Sequence, residues 1–114
     1  MTPDEFRALA LRLPEVSESA HMGHPDFRVG GKIFATLSAD GEWGMVKLTA
    51  DDQDGMIQAA PAIFSPAQGA WGRQGATRVR LAEAKRRLVE QGLESAWRAR
   101  APKTLVRKFD RERA

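Results

Sequence analysis

Gly23-His24-Pro25-Asp26-Phe27-Arg28-Val29-Gly30-Gly31-Lys32-Ile33-Phe34-Ala35-Thr36-Leu37 is the stretch that decides the fold. It holds a His-Pro turn and then a short strand in which Phe27 and Val29 alternate with Arg28. The Gly30-Gly31 pair is a two-residue hairpin signal, because both positions of such a turn need positive φ. A second strand follows, with Ile33, Ala35 and Leu37 alternating against Lys32, Phe34 and Thr36. Two alternating segments joined by a tight turn predict an antiparallel pair with one buried face.

Outward from the hairpin, Ser19 to Gly23 reads as an extension of the first strand. Ser38 to Gly44, with Asp40-Gly41, reads as a loop, and Val46 and Leu48 then alternate with Met45, Lys47 and Thr49 in a third strand. Upstream, Thr2 is a good helix cap, Pro3 suits the first helical position and Glu5 completes a Thr-x-x-Glu capping box. Phe6, Leu9 and Leu13 share one face of that helix, and Pro14 ends it. Thr49 caps a second helix, whose Asp51, Asp52 and Asp54 suit the positive end of its dipole. Ile63 to Ala67 reads as a short strand placed near an edge by Pro66. Gly69 to Gly75 reads as a glycine-rich loop, pinned by packing of Trp71, and Val79 and Leu81 alternate with Arg78 and Arg80 in a fifth strand. From Ala82 the period becomes helical, with a stripe of Leu88, Val89, Leu93, Ala96 and Trp97 that Gly92 splits or kinks and Pro102 stops. Lys103 to Phe109 adds a turn of helix, and the tail from Asp110 to Ala114 is expected to fray.

The order α-β(3)-α-β(2)-α predicts an α+β domain of two layers, with a mainly antiparallel five-stranded sheet and helices on one face. A chain of 114 residues fits one domain, residues 1–114, with enough core to need no staples. It has no cysteine, which excludes disulfides and thiolate metal sites and suits a cytoplasmic setting. Met1-Thr2-Pro3-Asp4-Glu5 runs into a helix without a signal-peptide pattern, and prolines and glutamines interrupt the longest uncharged stretch, so no membrane association is expected. Charge is uneven. Residues 1–76 carry 6 basic and 10 acidic side chains, residues 77–114 carry 12 and 5, and the net charge is +3.

Alternation also defines the uncovered sheet face. If Phe27, Val29, Ile33, Ala35, Leu37, Val46, Leu48, Val79 and Leu81 meet the helices, the other side collects Arg28, Lys32, Phe34, Thr36, Met45, Lys47, Thr49, Arg78 and Arg80. Five cations interleaved with Phe34 and Met45, and no carboxylate among those strand positions, suit a phosphate backbone or a flat anionic partner.

Several ordered segments resemble the MmcQ/YjbR-like family. They are Leu13-Pro14-Glu15-Val16, His24-Pro25-Asp26-Phe27-Arg28-Val29 followed by Gly31-Lys32-Ile33-Phe34-Ala35, Lys47-Leu48, Trp71, Ala96-Trp97 and Ala101-Pro102-Lys103. The resemblance covers nearly the whole chain. It implies a small bacterial protein of a group commonly described as DNA-binding, with a two-layer fold like that of type III secretion chaperones. It carries over no catalytic residue and no target sequence.

Other chemistry finds less support in the residues. His21 and His24 are the only histidines, and a metal site needs three or four converging ligands, so no metal and no cofactor is expected. His24 is expected to bond backbone at the Pro25 turn. No serine sits in a nucleophile elbow, and the reading is non-enzymatic. The expected contact residues for double-stranded DNA are Arg28, Lys32, Lys47, Arg78 and Arg80. Two alternatives stand beside it. The same face can serve a second copy of the chain or another protein, and His24, Lys47, Trp71 and Arg73 can line a small-molecule pocket.

Overall fold

In the computed structural model, which describes residues 1–113, helix α1 (Pro3–Leu11) starts where its cap places it. The Thr2 hydroxyl accepts from the Glu5 amide at 3.1 Å, and the Glu5 carboxylate accepts from the Thr2 amide at 3.1 Å. Strands β1 (Ser17–His21), β2 (His24–Val29), β3 (Lys32–Leu37) and β4 (Trp43–Lys47) follow. Helix α2 (Ala50–Ala59) comes next, capped by Thr49, then β5 (Phe64–Pro66), α3 (Gly69–Arg73) and β6 (Ala76–Arg80). A 3-10 turn at Leu81–Glu83 leads into α4 (Arg86–Arg100) and α5 (Lys103–Arg113). All strand pairings are antiparallel, and the six strands lie in the order β1-β2-β3-β4-β6-β5.

The sheet has one strand more than expected. Ser17–His21 does not extend β2 but pairs with it, turning back at Met22 and Gly23, which take positive φ of 51° and 79°. Every residue of β1 is exposed, so no apolar alternation announces it. β5 lies at the opposite edge, where Pro66 needs no ladder donor.

The expected faces hold except at one place. Phe27, Val29, Ala35, Leu37, Val46, Leu48, Val79 and Leu81 are all buried. Phe34, expected on the open side, is fully buried, and Ile33, expected in the core, is only half-buried. The cause is a β-bulge. Phe27 pairs with Ala35 but Arg28 pairs with Ile33, so Phe34 is an extra residue on β3. A bulge breaks the period of two, sending Phe34 and Ala35 inward together and Ile33 to the open face beside Arg28.

Helices α1, α2 and α4 cover the inner face. Phe6 lies over Gly44, where a Cβ would stand 2.7 Å from its ring, and Phe27 packs at a ring-centroid distance of 6.2 Å. Helix α4 runs unbroken through the expected kink, because Gly92 lies against Met56 and Phe64 while Val89, Leu93 and Ala96 hold both flanking turns in the core. Trp97 is fully buried, donates from Nε1 to the Pro14 carbonyl at 3.0 Å, and meets Phe109 edge-on at 4.9 Å. The expected frayed tail is instead helical through Arg113. Leu105 is buried, Asp110 receives Arg98 at 2.6 Å, and Glu94 receives Arg113 at 2.8 Å. Ala114 lies outside the described residues.

The bulge makes a sharp prediction. Phe34→Ala should lower unfolding free energy by about 3–5 kcal/mol in urea titrations, as for other buried aromatic truncations. Ile33→Ala should cost less than about half as much, since part of its side chain already meets water. Equal losses would restore the unbulged register.

Candidate nucleic-acid interface on the open sheet face

Cross-strand register fixes which side chains share the uncovered face. Asp26, Thr36, Met45, Arg78 and Ser65 form one continuous row. Trp43 stands opposite Arg80 and Lys47 opposite Ala76 on either side of that row, and His21 opposite His24 at its β1 end.

The most organised cluster surrounds Trp43. Its ring carries the Arg78 guanidinium at 3.6 Å and that of Arg80 at 4.6 Å. Such contacts hold a guanidinium flat and leave its charge available. Trp43 was expected in a loop. The signal for it was present: Trp43 and Met45 extend the outward alternation of β4, and Gly44 is the inward position left small for Phe6.

The five expected cations are not equivalent. Arg78 and Arg80 are brought together. Lys47 is half-buried, with Nζ 5.5 Å from the Trp71 ring. Burial, and then the charge of Arg100, hold its pKa below the ordinary lysine value. Lys32, expected on the open face, is exposed beside the Gly30-Gly31 turn but stands opposite inward-facing Val29, because the bulge shifts it to the helix side of the sheet. Arg28 is tied to Asp26, donating from Nε at 2.8 Å and from Nη2 at 3.1 Å.

Asp26 corrects the expectation of a face without carboxylates. It lies in β2, points to the open side, and is fully buried beneath Arg28 and His21, whose Nδ1 is 3.1 Å away. The Arg28 hydrogen bonds hold its carboxyl below the ordinary range against the opposing effect of burial, and His21 adds to that. His21, not His24, is therefore the histidine with a defined partner.

The expected small-molecule pocket is divided. His24 lines a shallow groove of about 390 Å³ with Thr36, Asp40, Trp43, Met45 and Arg78. Lys47 and Trp71 stand at the other end of β4, and Arg73 is exposed on α3. Trp71 itself is 66% exposed and does not pin its segment. Glycine contacts and Gln53 do that. A Cβ on Gly72 would meet the Ala67 carbonyl at 1.8 Å, and one on Gly75 the Leu48 carbonyl at 1.8 Å. The buried Gln53 amide donates to Gly72 at 2.9 Å and to Ala76 at 3.2 Å. A glutamine on a polar helix face gives no sequence signal for such a role.

Among the described residues, no three His, Asp or Glu side chains are placed to share a metal ion, and no helix is long and apolar enough to cross a membrane.

A six-stranded antiparallel sheet, helices on one face and an opposite face carrying the Arg78–Trp43–Arg80 cluster define an open-faced α+β domain. The YjbR family model matches residues 11–99, and the chain belongs to that family. The fold is similar to the crystal structure of Deinococcus radiodurans protein DR2400, which carries the family-model domain DUF419. The TM-score is 0.71 at 19% sequence identity, over 84% of this chain and 75% of that one. No curated protein matches the chain.

The Asp26 cluster carries a pH prediction. The unfolded chain takes up the Asp26 proton more readily than the folded one. The pairing therefore contributes fully above the ordinary carboxylate range and is lost as pH falls through the lower, folded value. Asp26→Asn should cost roughly 1–3 kcal/mol at neutral pH, and stability measured against pH should fall less steeply in acid than for the parent. An unchanged acid limb would remove Asp26 as a source of the dependence.

Proposed function

We propose that this chain is a non-enzymatic binding domain that holds DNA weakly, with little regard to sequence, through the open sheet face. The observation that carries the reading is the Arg78–Trp43–Arg80 cluster, two guanidiniums drawn to 3.6 and 4.6 Å from the ring centre of one outward aromatic. Lys47 lies four residues along β4 from it, whereas Lys32, opposite inward-facing Val29, falls outside the face. Arg28 contributes less, because Asp26 already compensates its charge. The description of MmcQ/YjbR-like proteins as DNA-binding points the same way, and a cysteine-free chain suits the bacterial cytoplasm where such a partner is found. Register and orientation on DNA come from phosphate contacts, which carry no sequence information directly.

The test is affinity against salt. Binding to duplex DNA should drop by more than tenfold between about 50 and 200 mM salt if roughly three to five phosphates are engaged. Replacing both Arg78 and Arg80 with alanine should weaken binding and flatten the salt slope by about two. Replacing Arg107 and Lys108 should matter less, since α5 packs through Leu105 and Phe109 on the helical side of the sheet. Binding that is absent at low salt, or indifferent to the strand arginines, would overturn the reading. A stable dimer on size exclusion that ignores DNA would assign the face to a second copy instead.

A further inference from the structure

We infer that the form of DNA this face recognises is the unpaired strand, with bases laid between Trp43 and Trp71. The inference rests on the proposed DNA reading and narrows it.

Shape is the first argument. The major groove is about 12 Å wide and admits a helix or a two-stranded ribbon. Strands spaced roughly 4.8 Å apart make the β2-β3-β4-β6 surface wider than that before side chains are added. An undistorted duplex cannot take this surface into its major groove and meets it chiefly through its phosphates. An unpaired strand can lie along it and present its bases.

The aromatics are the second. Trp71 is 66% exposed, and its segment is positioned by Gln53 and Gly72 rather than by the indole. Most of its large ring meets solvent, and the Lys47 ammonium stands beside it. Trp43 holds Arg78 flat, and arginine planes stack on bases as aromatic rings do. Trp43 and Lys47 are four residues apart on β4, about 13 Å at strand rise, with Met45 outward between them. This gives a track with a stacking surface at each end, an apolar middle, and Arg80 beside Trp43 for the backbone.

Charge completes the case. The one carboxylate buried in the face, Asp26, is closed off by Arg28 and His21. Asp40, at the rim of the groove beside Trp43, accepts from the Ser38 hydroxyl and the Glu42 amide. The groove, with His24 and Thr36 on its wall, has room for one base.

The experiment compares fluorescence anisotropy of a labelled oligothymidine of about 15 nucleotides, near the upper site size of sheet-based binders, with that of its duplex at one low salt concentration. The single strand should bind about tenfold or more tightly than the duplex. Trp71→Ala should weaken the single strand by roughly fivefold or more, the range for loss of one stacked base, and leave the duplex within about twofold. The exposure of Trp71 predicts an unchanged thermal midpoint for this variant, which a melt checks. Trp71→Phe should restore much of the affinity. Equal or tighter duplex binding, or a Trp71→Ala effect of the same size on both forms, overturns the unpaired-strand inference and leaves the broader DNA reading standing. Failure of both forms to bind overturns both.

Discussion

The extra residue that β3 inserts opposite Phe27 and Arg28 decides which side chains the helices cover and which the solvent meets. Two consecutive residues, Phe34 and Ala35, enter the core, and everything on β3 beyond that point is displaced by one step. Strict alternation counted back from Leu37 and Ala35 would put Phe34 in water and Ile33 under the helices. With the insertion, Ile33 stands next to Arg28, and Asp26 falls into line with Thr36, Met45 and Arg78. The composition of the open face is thus a consequence of one irregularity in the ladder.

A second constraint is steric. Gly44 has no side chain because the Phe6 ring fills its place, and this seats α1 on β4. The neighbours Trp43 and Met45 then project outward. The closeness of α1 on one side and the arginine cluster on the other are two expressions of the same strand. Trp97 ties the remaining helices together, through its indole hydrogen bond to Pro14 and its edge contact with Phe109.

Where local chemistry governs, the residues were readable. Thr2 and Thr49 cap their helices as their sequence neighbours require, Gly30-Gly31 turns a hairpin, and Pro66 marks an edge. Where tertiary contact governs, they were not. Strand β1 has no buried residue and is held by its pairing with β2 and by polar contacts of Glu18 and His21. The bulge leaves Lys32 to Leu37 with a sequence pattern of strict alternation that the backbone does not follow. Asp26, next to a proline, reads as a turn residue until β1 folds over it. Trp71 reads as packing and Gly92 as a break because aromatic exposure and helix continuity depend on neighbours far along the chain. Of the candidate site, Arg78 and Arg80 were legible from alternation, whereas the tryptophan that organises them required knowing that β4 begins at Trp43.

The two edges of the sheet bear on how the protein behaves in a crowded solution. Unpaired backbone at a sheet edge is a template on which other chains can grow. Here one edge is the five-residue β1, carrying Glu18 engaged by Arg7, and the other is the three-residue β5 ending in Pro66. Neither is long, flat and apolar, so neither offers a surface for strand-to-strand polymerisation. The molecule keeps a broad, uncovered sheet face without the fibre-forming hazard that an open sheet ordinarily brings.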